Sequence, residues 1–326
     1  MAKFIVCISL FFLVVLFPAN AKGQSAVSNY KMYLATAKYN NNDVLITRRF
    51  SQSGVKKYLA VGLNSLETYV ITADKLTVKP TTWEQFFAAY TNVPYSKALQ
   101  YAKTQSAAMQ DAGIIHGYPK EKGITLTIDL CPSHKPLDRV IFTSLVSEFA
   151  KTEKPVPVAL SLSGRFLLTH LEDIQWLKTL EAKGDVHITW INHTYNHHYD
   201  PKVPLEENFL LKPGTDIDFE VLGTEIAMLQ NGLLPSIFFR FPGLVSDGKI
   251  VDIITGYGLL PVGSDAWLAK GQNANTGSIV LIHGNGNEPI GVKDFIALLS
   301  TQRNAVLQKQ WLLYDLSESV DAEFKQ

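Results

Sequence analysis

Cysteine is scarce in this chain: two in 326 residues, Cys7 and Cys131, which excludes a scaffold stapled by disulfides. An excess of either charge is missing too. Thirty Lys and Arg balance thirty Asp and Glu, and charged residues make up only 18% of the chain. Affinity for nucleic acid rests on clustered cations that release counterions from phosphates, so no nucleic acid and no anionic membrane surface is expected as a partner. Past residue 21 no apolar run is long enough to cross a bilayer. What is present is 46% hydrophobic, enough with so little charge to bury a sizeable core, which excludes a disordered linker.

Lys3 precedes an apolar run from Phe4 to Phe17 that stops at Pro18, with Ala19-Asn20-Ala21 behind it. The run falls short of the roughly 20 residues a transmembrane helix needs, and small residues at 19 and 21 suit signal peptidase. Residues 1–21 therefore read as a secretory signal peptide, and the expected location is periplasmic or secreted. Its removal takes Cys7 with it and leaves Cys131 without an intrachain partner.

Residues 22 to about 42 are polar, and Asn40-Asn41-Asn42 reads as a loop. Alternating, β-branched segments at 43–50, 55–63 and 67–78 predict a small sheet. Thr82 with Gln85 three residues on is a capping box for a short helix that Pro94 interrupts, and Ser96 opens a second helical pattern through Ala112, closed by Gly113. No site chemistry stands out in residues 22–115, which read as an accessory α+β module. From Gly123 onward short apolar runs alternate with amphipathic stretches: strands at 124–130, 157–162, 186–191, 236–239, 259–262, 278–282 and 311–316, helices at 137–151, 171–182 and 218–231. That rhythm predicts a parallel α/β sheet over residues 116–326, open or closed into a barrel, with chemistry just past the C-terminal strand ends.

Reactive side chains do follow the strands, at five places. Asp129 ends the first apolar run, before Cys131 and Pro132, where an acid can act as base, bind a metal or merely cap the turn. His193 and His197, four apart after the third run, can share one cation if the stretch is helical or turn-like, with Asn192 and Tyr195 as supports for the rings and His198 off that face. Arg240, before Pro242, is costly to bury unless it meets a carboxylate or an anionic group. Asp265 can orient a histidine beside Trp267, whose indole either stacks on a sugar or lies in the core. His283 ends an apolar strand with Gly284 behind it, a place for a general acid.

Taken together and in this order, the five segments resemble the polysaccharide deacetylase family, carbohydrate esterase family four, over about residues 123–316. The resemblance implies a distorted (β/α) barrel of about seven strands, a divalent metal such as zinc, and removal of N- or O-acetyl groups from an acetylated polysaccharide. Carried over by motif, His193 and His197 match the metal-binding histidines and Asp129 the catalytic base, with a ligand role open to it as well. Arg240 matches the arginine that orients the base, Asp265 and Trp267 the acid and aromatic of the fourth motif, and His283 the catalytic acid; Pro242 and Trp267 fall on the substrate side. Two positions depart from the pattern. Leu130 stands where a second acid usually supplies the third metal ligand, and Ala266 separates an acid and tryptophan that are usually adjacent. Cys131 and His134 lie near enough to replace the lost ligand, although each reads more simply as structural. Leu130 also motivates a second reading, a barrel of this ancestry that binds glycan or serves envelope assembly without turnover.

Overall fold

The computed structural model describes residues 26–104, 109–119 and 122–324. The signal-peptide expectation falls on residues outside these. Among the described residues no helix is long and apolar enough to cross a membrane.

The N-terminal part is an antiparallel sheet in the order β4-β3-β2-β1-β5, built from β1 (Val27–Tyr39), β2 (Asn42–Gln52), β3 (Val55–Gly62), β4 (Thr68–Thr72) and β5 (Lys79–Pro80). β1 corrects the expectation of a polar lead-in: its faces are only partly buried, so it carries no apolar run, and pairing with β2 rather than composition makes it a strand. The predicted asparagine loop is the hairpin turn, with Asn40 and Asn41 both left-handed at φ 49° and 66°. The Thr82–Gln85 capping box starts α1 (Trp83–Ala89) as expected. Pro94 does not interrupt a helix but opens α2 (Pro94–Thr104), where a missing N–H costs nothing. The predicted continuation to Ala112 fails, because residues 110–118 run along the second sheet without helix, making isolated bridges at Gln110, Ile114 and His116. Ile114 N–H donates to Pro261 O, Gly263 N–H to Ile114 O and Gly117 N–H to Gly277 O. Gly113, φ 91°, is glycine because a Cβ would collide with Pro261, not because it caps a helix.

The second sheet is parallel, in the order β10-β9-β8-β7-β6-β12-β11, with β13 added on β6. Its strands are β6 (Gly123–Leu130), β7 (Val156–Leu162), β8 (Val186–Asn192), β9 (Pro235–Phe239), β10 (Leu260–Pro261), β11 (Ala266–Trp267), β12 (Ile279–His283) and β13 (Leu312–Leu313). The expected distorted α/β barrel is present as a curled half-barrel, one short strand richer than predicted. Two-residue β11 was too short to show as a run. Helices α3 (Arg139–Phe149), α4 (Gly164–Thr169), α5 (Leu171–Ala182), α6 (Thr224–Gln230), α7 (Gly248–Gly256), α8 (Pro289–Leu307) and α9 (Leu316–Phe324) flank it.

Two apolar clusters hold these layers. Ile124, Leu126, Ile128 and Leu130 of β6 pack outward against Ile141, Phe142 and Leu145 of α3 and Phe295 and Leu299 of α8. A second cluster joins Leu45, Val61 and Leu63 of the N-terminal sheet and Phe86, Tyr95 and Leu99 of α1 and α2 to Ile191, Ile237, Leu260 and Ile279 of the barrel strands. One ion pair crosses the same boundary fully buried: Arg48 donates from Nε and Nη2 to both carboxylate oxygens of Glu225 on α6 (2.8 and 2.9 Å), and from Nη1 to Tyr257 O, while Tyr30 OH donates to Glu225. Removing one partner strands a desolvated charge. Arg48→Met is expected to cost about 3–5 kcal/mol, read as a lowered urea midpoint, and Arg48→Met with Glu225→Leu to recover most of it. A double variant no more stable than the single one would show that desolvation of the charge is not what the pair offsets.

Candidate active site

Register assembles the site. Parallel pairing sets His283 of β12 beside Asp129 of β6, and Asp129 beside Ser161 of β7, so three polar residues end neighbouring strands at one level. This is the C-terminal edge of the sheet, where chemistry was expected. Within β6, residues 124, 126, 128 and 130 face the helices, and Thr127 and Asp129 face the opposite way, toward Arg240. Leu130 thus belongs to the outer core, fully buried among helix side chains.

The two histidines sit on a bend, not on a helix. His193 and His197 have ring centroids 4.8 Å apart. Thr194 and His197 are left-handed at φ 65° and 49°, costly for non-glycine residues and tolerated because the bend is held from several sides. Glu220, buried on a π-helical turn at Phe219–Gly223, accepts from Tyr195 N–H (2.9 Å), Asn196 N–H (2.8 Å) and Asn196 Nδ2 (2.7 Å). Gly164 and Arg165 donate backbone N–H groups to Thr194 O and Tyr195 O. Asn192 and Tyr195 do not touch the rings as supposed. Asn192 accepts from Thr194 N–H and donates to Val221 O, and Tyr195 packs on Phe219. What orients His193 is Arg240 O, 2.9 Å from Nδ1. A carbonyl only accepts, so Nδ1 carries a proton, and Nε2 faces Cys131 Sγ at 3.6 Å and Asp129 Oδ2 at 3.7 Å.

That nitrogen lies in a group of three. Cys131 Sγ, His193 Nε2 and a nitrogen of His197 lie within 4.8 Å of one another, with Sγ 3.6 Å from His193 Nε2, and His197 Nε2 is buried without a hydrogen-bond partner. An orphaned imidazole nitrogen beside a soft sulfur and a second imidazole fits a borderline cation. Burial pushes the Cys131 thiol up, but His197, His193 and His283 outweigh that and hold it well below the ordinary thiol value. Asn285 Nδ2 donates to Cys131 O (2.5 Å) and so fixes the turn behind the sulfur. His134 is exposed and apart from the group.

Asp129 stands next to these ligands, Oδ2 3.7 Å from His193 Nε2, with Oδ1 buried and unpaired. Burial raises its carboxyl, yet the charges of Arg240, His193 and His283 together hold it below the usual carboxylate range. Arg240 is buried completely; Nη2 donates to Thr127 Oγ1 at 2.9 Å, and among the described residues Nε and Nη1 have no hydrogen-bond acceptor. The expected facing carboxylate is there as charge, from Asp129 and Asp111.

His283 has a partner that the sequence reading missed. Its Nδ1 lies 2.8 Å from Glu288 Oε2, and Trp267 Nε1 donates to the same oxygen at 2.8 Å. Burial pulls the imidazole down, but Cys131, Glu288 and Asp129 hold it well above its ordinary value. Asp265 does orient a histidine, but that histidine is His116 (Oδ2 to Nδ1, 2.6 Å), and its other oxygen accepts from Ile279 N–H at the start of β12. His283 ends that strand, about 13 Å away at 3.3 Å per residue, so Asp265 is removed from the acid–base set. Trp267 is corrected as well: 8% exposed, packed on Leu244 and Leu281 with Lys270 Nζ 3.6 Å above its ring, it offers no free sugar-stacking face. Pro242 is buried and opens a short 3-10 turn. Gly284 does not open space, since a Cβ there would press on Ile128.

A cleft of about 570 Å³ opens at His197 between Arg165, Tyr199, Phe209, Lys212 and Phe219, and Tyr199 and Phe219 are 55% and 45% exposed. A larger cavity, about 730 Å³, lies between the N-terminal sheet and β8–β9 and touches none of these groups.

No protein-family model matches the sequence. Among solved structures, the chain is similar to a family 4 carbohydrate esterase from Bacillus anthracis, with 18% identity over 70% of this chain and 92% of that one, TM-score 0.48. It is similar to the family 4 carbohydrate esterase PdaA from Bacillus subtilis, with 15% identity over 67% and 95%, TM-score 0.45. A pseudoenzyme of the same esterase family from Bacillus anthracis also matches, with 14% identity over 64% and 68%, TM-score 0.44.

Glu220 is the strut of the histidine bend, and Glu220→Ala leaves two amides unsatisfied. The expected cost is about 1–3 kcal/mol, with faster hydrogen exchange at Tyr195 and Asn196. Unchanged protection of those two amides would show that the bend stands without it.

Proposed function

We propose that this chain is an exported, metal-dependent hydrolase that removes acetyl groups from a polysaccharide. The observation that carries the reading is the flanking of two converging imidazoles by an ionised, half-unpaired carboxylate on one side and a carboxylate-backed histidine on the other, all at the strand ends. The order of motifs in the sequence supports it, as does the unpartnered Nε2 of His197. A divalent cation held by His193 and His197 would supply Lewis-acid polarisation of the acetyl carbonyl and of a water. Asp129 takes that water's proton at Oδ1, the oxygen with no other partner. Arg240 keeps the base ionised through its buried charge, with Thr127 fixing the guanidinium on Nη2. Glu288 holds Nδ1 of His283, so Nε2 delivers the proton that a leaving amine or alkoxide needs. The glycan then lies along the His197 cleft, where Tyr199 and Phe219 present the exposed rings that Trp267 lacks.

The test is acetate release by metal-loaded protein from acetylated chitin-like oligomers, peptidoglycan and xylan. Asp129→Asn and His283→Ala are each expected to lower kcat by about 10²–10⁴. Glu288→Gln, at a positioning residue, is expected to lower kcat less, leave KM nearly unchanged and shift the pH profile of kcat. No acetate from any of the three substrates overturns the reading. Leu130, an apolar residue locked in the outer core, favours the second reading, glycan binding without turnover, which predicts binding with no acetate and no effect of His283→Ala.

A further inference from the structure

The ligand set has a gap in sequence that the structure closes with a different atom. Two imidazoles alone hold a cation weakly, and the residue after Asp129, Leu130, is both apolar and turned toward α3 and α8. The next residue, Cys131, brings its sulfur back to the inner side, into the group with His193 and His197. We propose that the Cys131 thiolate is the third protein ligand of the metal, making this a Cys-His-His site in which Asp129 is left free to act as base. The inference rests on the deacetylase reading for the role of Asp129, and on geometry for the ligands.

Four observations carry it. Ligands at about 2.3 Å (sulfur) and 2.0 Å (nitrogen) that subtend a tetrahedral angle lie about 3.5 Å apart, and the distance from Cys131 Sγ to His193 Nε2 is 3.6 Å. A thiol that only donated to His193 would leave His197 Nε2 buried and unpaired, whereas a shared cation satisfies both rings. The Cys131 backbone is anchored by Asn285 Nδ2, which holds the sulfur's approach. Three ligands also leave the fourth tetrahedral position open for water or substrate, the arrangement of a catalytic rather than a structural zinc. The sulfur binds as thiolate, so any proton it carries leaves to solvent as the sulfur–metal bond forms.

The experiment is anaerobic titration of the metal-free full chain with cobalt(II), followed by absorption and by metal analysis. The expected result is one cobalt per chain with a sulfur-to-cobalt charge-transfer band in the near ultraviolet. Cys131→Asp is expected to keep the cobalt and lose that band. Cys131→Ala should weaken zinc binding by more than the roughly 10- to 100-fold typical of losing an outer hydrogen-bond partner. If the alanine variant does not fold, the band in the unmodified chain and its loss in Cys131→Asp still decide. Bound cobalt without the band, or wild-type zinc affinity in folded Cys131→Ala, overturns the assignment even if acetate is released. A full band with no acetate released keeps the ligand set and overturns the deacetylase reading.

Discussion

A strand buried on both faces can direct only every second side chain to each, and β6 is an interior strand of the parallel sheet, paired on both sides by β7 and β12. The rest of the site depends on that alternation. Ile124, Leu126, Ile128 and Leu130 hold the helix layer, so the inner face is left to Thr127, Asp129 and the turn that carries Cys131. A second acid directly after Asp129 would either sit in the outer apolar core or break the strand to turn inward. The chain avoids both by placing its next donor one residue later, as sulfur.

The candidate site is buried, and burial makes every partner matter. Arg240, Asp129 and His193 are all almost fully buried, so their charges act through little screening and set one another's ionisation. The bend that brings His193 and His197 together is strained at two non-glycine residues and depends on Glu220 for its amides. Glu288 performs for His283 what Glu220 performs for the bend. Both carboxylates come from segments outside the strands, reaching in to fix a group whose own strand only delivers it to the rim.

Most of the barrel was legible because a buried parallel strand is written as a local apolar run. Seven of its eight strands begin or end within a few residues of those runs, while β11, at two residues, left none. β1 stayed hidden for the opposite reason, a long strand with half-buried faces and no run at all. Within the site, Asp129, His193, His197, Arg240 and His283 were recognisable as polar groups closing apolar segments. Glu288 gave only a weak signal, an acid five residues past His283 in a Gly-Asn-rich turn, and Glu220 stood in an amphipathic stretch as an acid on what proves a buried face. Asp265 and Trp267 were legible as a motif; Asp265 failed because pattern does not say at which end of a strand a side chain emerges, and Trp267 because pattern does not say whether a ring is covered.

Composition and order therefore sufficed for whatever is encoded locally: an α/β barrel, reactive residues at strand ends, a chain with no charge excess to bring to nucleic acid. Partnership was decided by tertiary structure. Register set His283 beside Asp129, strand alternation turned Leu130 away, and loops distant in sequence paired Glu288 with His283 and Asp265 with His116. A hydrogen bond or a ligand contact reaches only about 3 Å, far less than the span of a strand, so which residues meet depends on how the sheet curls and pairs. That is why a cysteine that looked like a leftover from an absent disulfide lies instead against two imidazoles.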